Sequence, residues 1–244
     1  SMVLMMRAVS SAGNDDPLVL LREEPGTDNP VLRMFLTNWT KQFRLGDPPD
    51  YEPRESESAA AIARANGKSP AEVMLDWMLE RDGRQLVYMP FAHYGGYDFE
   101  DLREMLEHPS TVLSLSDGGA HVGLICDAST PTYMLTHWVR DRSRGPKLAL
   151  ERAVQMQTSE TAKLYGLLDR GVLAPGMKAD LVLFDPETVA AQTPEYAYDF
   201  PRQGRRLIAK ATGVIATFVA GHQVYAQGMH TGALPGRVLR SAAS

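Results

Sequence analysis

The chain has 244 residues, 44% hydrophobic and 8% aromatic, with 30 acidic and 25 basic side chains for a formal net charge of −5. That content can bury a sizeable core and excludes global disorder. The negative charge excludes the basic face with which a nucleic-acid binder displaces counterions. A single cysteine, Cys126, excludes an intramolecular disulfide framework and points to a reducing, cytoplasmic compartment. No apolar run approaches the roughly 18 residues of a membrane span.

Ser1 and Met2 read as a cloning remnant followed by a start. Residues 1–30 are expected to be a flexible N-terminal segment, because 10–16 and 23–30 are rich in Ser, Gly, Asn, Asp and Pro. Residues 46–53, GDPPDYEP, are a second irregular stretch, since consecutive prolines remove donors and restrict the residue before them. Helical punctuation follows. Ser69, Pro70 and Glu72 supply an N-cap, a Pro at N1 and an acid at N3, predicting a helix through Met74, Trp77 and Met78 that stops at Asp82 and Gly83. Asp98 or Asp101 caps a second helix through Leu102, Met105 and Leu106. Thr130 and Pro131 open a third, carrying Met134 and Trp138; a fourth begins near Leu148, and a short one after Thr158 stops at Gly166. The Met and Trp residues at helical spacing are core positions.

Two short apolar runs alternate with these helices: residues 85–91, QLVYMPF, and 111–116, TVLSLS. Each reads as a strand buried on both faces, and the βαβ rhythm predicts a parallel sheet in an α/β domain spanning 31–170. Past Arg170 the character changes to antiparallel β, a domain spanning 171–244. Pro175 and Gly176 suit a turn, LVLFD a strand, and Gly221 with His222 the centre of a type II′ hairpin turn.

The segment richest in chemistry is residues 114–127, SLSDGGAHVGLICD. Asp117 ends an apolar run, Gly118 and Gly119 permit close backbone approach, and His121 follows within one turn. Groups at the carboxyl end of a parallel strand face the crevice where ligands bind, so an acid there can hold a cation, accept a proton, or both. The bland alternative is a carboxylate capping the next segment beside two turn glycines.

LSLSDGGAHVGLICDAS followed by PT, then YGLLDRGVLAPGMKADLVLFDP, resembles the C-terminal half of metal-dependent amidohydrolases. RLGDPPDYEP upstream and ATFVAGHQVYAQGMHTGALPGRVLR at the end are similar to the N-acyl-D-amino-acid deacylase (D-aminoacylase) branch. The resemblance runs over about residues 39–240. It implies an incomplete (β/α)8 TIM barrel, with QLVYMPF and TVLSLSD as strands 7 and 8, followed by part of a small antiparallel β-sandwich. It also implies zinc, an N-acyl amino acid as the small-molecule substrate, and Asp117 as the aspartate that touches the metal and shuttles a proton from water to the leaving amine.

The chain departs from that pattern. Its histidines are His93, His108, His121, His137, His222 and His230, with no His-x-His pair, and Cys126 follows strand 8 rather than standing at the bridging position. A hydrolytic metal site usually takes three protein ligands, whereas only Asp117 is matched here. The expectation is therefore a fragment or shortened relative whose exposed strand edges favour a homo-oligomer or association with the missing N-terminal half. His93 and Tyr94 follow strand 7 and can face substrate, with loop packing as the alternative. Gly118, Gly119 and His121 are further substrate-side candidates. Arg140, Arg142 and Arg144 suit a substrate carboxylate, although such a cluster is more commonly a solvated helix end. Two other readings stay open: a cyclic-amide hydrolase of the hydantoinase or dihydroorotase type, and a non-catalytic binding or assembly module that kept the scaffold.

Overall fold

The computed structural model describes residues 3–6, 29–90, 92–114, 123 and 125–240. The expected strand end and glycine loop at Asp117, Gly118, Gly119 and His121 lie outside the described residues, as do the expected loops between 7 and 28. The chain divides into two compact units. One is built from Ser1–Met105, Asp117–Ala128 and Thr193–Ile208, the other from Leu106–Ser116, Ser129–Gln192 and Ala209–Ser244. The residues on either side of Arg170 thus fall in the same unit.

The first unit contains a three-stranded sheet in the order β1 (Val3–Met6), β3 (Val87–Pro90), β2 (Phe43–Arg44). Val3–Met6, placed by the sequence in a flexible segment, pairs along its whole length with β3. β3 is the predicted QLVYMPF strand, and its four residues are all buried. Its pairing is not the parallel one that a βαβ rhythm implies. Both neighbours run antiparallel to it, with Met6 opposite Val87 and Phe43 opposite Tyr88.

Two helices cover this unit's core. Ser58 caps the first, Ala59–Asn66, by accepting a bond from the Ala61 N–H at 3.2 Å, and Gly67 ends it at φ 63°. The second, Pro70–Gly83, opens with the predicted box: the Ser69 hydroxyl accepts from the Glu72 N–H, and Glu72 Oε2 accepts from the Ser69 N–H at 2.8 Å. Ala59, Ala63, Val73, Met74, Trp77 and Val87 form one buried cluster against which Trp39, Ile62 and Met78 pack. Met74 and Trp77 are therefore core, as their spacing predicts. A helix that the sequence reading did not anticipate, Pro30–Thr37, precedes this core. A hairpin of β6 (Glu195–Phe200) and β7 (Gly204–Ile208), also not anticipated, completes the unit.

In the second unit, residues 111–114 carry no strand, which corrects the prediction for TVLSLS in its described part. They alternate between half-buried and exposed, and the Thr111 N–H closes a turn onto the His108 carbonyl at 2.9 Å. An apolar run without a neighbour on both faces has no cause to extend as a central strand. The helix Thr130–Thr136 starts where predicted and continues as a π-helix, His137–Asp141, that buries Trp138. A second π-turn, Met156–Glu160, joins the helices Leu150–Gln155 and Thr161–Leu164.

β4 (Leu181–Phe184), β9 (Val214–Val219), β10 (His222–Ala226) and β11 (Met229–His230) form an antiparallel sheet in the order β11-β10-β9-β4, and a two-stranded ribbon pairs β5 (Ala190–Ala191) with β8 (Ala211–Thr212). Pro175 and Gly176 form the expected turn, with Gly176 at φ 86°. The hairpin centre lies one residue earlier than predicted. Ala220 (φ 49°) and Gly221 (φ 79°) turn the chain, and His222 is already strand. Two positive φ values define a type I′ rather than a type II′ turn. Asp180 supports Ala220 there by accepting its N–H at 2.8 Å. No helix among the described residues is long and apolar enough to cross a membrane.

Candidate functional site

In the first unit, the carboxyl end of β3 is ringed by polar groups that the irregular residues 46–53 and the loop after the strand bring together. Tyr88 in β3 donates its hydroxyl to the Tyr51 carbonyl at 3.1 Å, and the two rings meet edge-on at 5.3 Å. Tyr94 donates to the Pro53 carbonyl, and Glu52, itself buried, accepts the Phe99 N–H at 2.8 Å. Residues 46–53 are irregular as expected; Asp47, Pro48 and Asp50 are exposed, and the stretch turns inward at its end, where Tyr51, Glu52 and Pro53 are buried. Hydrogen bonds to the strand and loop replace the ladder that Pro48, Pro49 and Pro53 forbid.

Lys41 fastens the same loop from the other side. Its Nζ donates to the Tyr94 carbonyl at 2.7 Å and the Gly95 carbonyl at 3.1 Å, and lies 3.2 Å from the centre of the Tyr97 ring. Burial lowers its pKa, an effect the nearby Glu55 charge opposes. Between these anchors His93 is exposed at φ 59°, a conformation seldom adopted by a non-glycine residue.

Cys126 and Asp127 are buried beside Tyr51. Burial, reinforced by the Asp127 charge, pushes the Cys126 thiol up to about 11, so at neutral pH it is a protonated, inert sulfur. Burial also raises the Tyr51 phenol, with Cys126 and Asp127 adding to the effect. Tyr88 is raised by burial first and then by Tyr94, Tyr51, Asp127 and Asp50. These phenols remain neutral donors, suited to orienting backbone and polar groups rather than to proton exchange.

Of the sequence-predicted site residues, His93 is therefore displayed to solvent, while Tyr94 is buried with its hydroxyl on Pro53 and its ring 5.0 Å from that of Phe99. Arg140 belongs to the second unit. Its guanidinium holds both oxygens of Asp141, at 2.7 and 2.9 Å, and donates to the carbonyls of Pro186 and Glu187. Arg142 is not at a solvated helix end; it is buried, its guanidinium 4.9 Å from the Trp138 ring. Asp117, Gly118, Gly119 and His121 lie outside the described residues. Among the described residues no three His, Cys, Asp or Glu side chains gather to hold a metal ion, and the raised Cys126 thiol is a poor ligand. The described side chains thus do not fit a zinc ion.

Sequence reasoning missed Lys41, Tyr51 and Glu52. Their partners lie 37 to 54 residues away; Tyr51 and Glu52 fall within the RLGDPPDYEP motif, but the motif does not say what they touch.

Residues 19–225 match the amidohydrolase family, and the chain belongs to it. It is 31% identical over 211 residues to a D-aminoacylase of Alcaligenes xylosoxydans xylosoxydans, covering 86% of this chain and 37% of that protein. Over 184 residues it is 34% identical to an N-acyl-D-aspartate deacylase of the same organism, covering 72% of this chain and 33% of the relative. Among solved structures, an N-acyl-D-glutamate deacylase from Bordetella bronchiseptica, complexed with zinc and a phosphonate inhibitor, is 26% identical with a TM-score of 0.42, covering 76% of this chain and 34% of that one. The chain spans about a third of the length of the curated relatives it matches.

Proposed function

We propose that this protein serves the hydrolysis of the amide bond in N-acyl-D-amino acids, with Asp117 as its proton-transfer group. The observation that carries the reading is the similarity, over most of the chain, to relatives named for that one reaction. In this reading a water attacks the acyl carbon, the Asp117 carboxylate takes a proton from it, and the same proton goes to the leaving amine nitrogen. The carboxylate is regenerated and the products are a carboxylic acid and a free D-amino acid. A carboxylate is suited to both steps because it can accept and return a proton within one turnover. Asp117 would be this chain's one ligand to a zinc ion, and the ion would supply an activated water. The part played by this chain's described residues is different: Lys41 and Glu52 anchor the loop that carries His93, and in this reading His93 faces the substrate.

The test is release of free amino acid from N-acetyl-D-amino acids and their L-enantiomers by protein purified from its own gene. We expect turnover of the D-forms, and a fall in kcat of about 10²–10⁴ in Asp117→Asn. Turnover confined to cyclic amides, or an Asp117→Asn variant as active as the parent, would overturn the proposal.

A further inference from the structure

Where the Pro70–Gly83 helix ends, the backbone takes an unusual path. Glu80 is extended, and Arg81 (φ 54°), Asp82 (φ 57°) and Gly83 (φ 74°) follow in succession in the left-handed region. Side chains seldom adopt that conformation singly, let alone twice in a row. The N–H groups of Arg84 and Gln85, returning to the Glu80 carbonyl at 3.2 and 3.3 Å, hold the turn in place. Its result is that Arg81 and Arg84 both line a cleft of about 440 Å³ within the first unit. β6 contributes Tyr196 and Tyr198, which border the same space. Leu86 and Pro194 give it apolar lining. The volume is within the range of small-molecule sites.

We propose that this cleft binds a small organic monocarboxylate with an aromatic or alkyl body. A guanidinium carries five N–H donors. Among the described residues, Arg81 commits one, to Asp47 at 3.1 Å. Arg84 commits two, to the Arg81 carbonyl at 2.9 Å and to Asp82 at 3.3 Å. Both ion pairs are single contacts between exposed side chains, which a bidentate carboxylate can displace or join. The charge balance selects the class of anion. Asp47 and Asp82 touch the guanidinium groups from outside the lining and Glu195 lines the cleft itself, so a doubly charged phosphate meets more repulsion than a monoanion. The tyrosine rings and the Leu86 and Pro194 side chains favour a ligand whose remainder is apolar. This inference stands apart from the proposed amide hydrolysis, because it uses neither Asp117 nor the β3 loop.

Titration with benzoate at low salt, followed by ligand-observed NMR, tests it, with acetate, hexanoate and inorganic phosphate as competitors. We expect saturable benzoate binding, displacement by hexanoate, weak competition by acetate and none by phosphate. Arg81→Gln combined with Arg84→Gln should weaken binding roughly tenfold, the loss of a charge-assisted pair. Arg84→Gln alone and Tyr198→Ala, both at exposed positions, should each weaken it several-fold and decide the matter if the double variant does not fold. Absence of saturable binding, unchanged affinity in variants with native circular dichroism, or phosphate competing as well as hexanoate would overturn the assignment.

Discussion

Cys126 illustrates how a residue's surroundings set its chemistry. In isolation a thiol is the most reactive group in the chain. Here burial and the Asp127 charge hold its pKa near 11, so the nucleophilic thiolate is scarce at neutral pH. We expect no reaction of the folded protein with an aromatic disulfide reagent at pH 7.5, and one thiol per chain released as soon as guanidinium unfolds it. Rapid labelling of the native protein would show the sulfur to be accessible. Lys41 makes the complementary point. A lysine read from sequence is a solvated charge, yet two carbonyls and a tyrosine ring turn this one into a fastening between segments more than fifty residues apart. No pattern of neighbouring residues announces that role, because its partners are chosen by the fold.

At the scale of elements, local chemistry decides where a helix starts. The Ser69–Glu72 box satisfies N–H groups from within four residues, and for that reason it is legible without coordinates. Ser69→Ala should cost about 1 kcal/mol and lower the melting temperature by a few degrees. Turns that depend on a distant neighbour behave differently. A Cβ on Gly213, which sits at φ 71°, would lie 2.3 Å from the Val189 backbone nitrogen, and Val189 is buried. Gly213→Ala combines an unfavourable backbone conformation with a clash against main chain that cannot swing aside. We expect a loss of about 3 kcal/mol, read as a lower urea midpoint with an unchanged slope. The sequence shows only a glycine between two apolar stretches; the close approach to Val189 is a tertiary fact. The same distinction explains β3. Its apolar, β-branched and aromatic residues mark it as a buried strand, but the direction of its neighbours depends on which segments reach it, and those are Val3–Met6 and Phe43–Arg44.

For the whole molecule, the raised groups beside β3 give stability a defined alkaline limit. Cys126 holds its proton more tightly in the folded state than the ordinary value of 9.0 allows. Its contribution is therefore fully present below pH 9 and is lost as the pH climbs toward 11. Tyr51 and Tyr88, shifted in the same direction by burial, extend the loss above pH 10. Denaturation midpoints measured from pH 7 to 11 should fall above pH 9, with about 2 kcal/mol of the loss between pH 9 and 11 removed by Cys126→Ala. A profile flat to pH 11 would contradict the burial of these groups.

The amino-acid order alone determined the helix starts at Pro70 and Thr130, the buried Met74 and Trp77, the β4 and β9–β10 strands, and the motifs that resemble the amidohydrolase family, because each depends on residues within a few positions of one another. Only the tertiary structure decided that β3 lies between antiparallel partners, that the end of a proline-rich stretch turns inward, and that two arginines at a left-handed turn share a cleft with two tyrosines. Those outcomes depend on contacts between segments tens of residues or more apart in the chain, and no short-range pattern encodes which distant segment arrives.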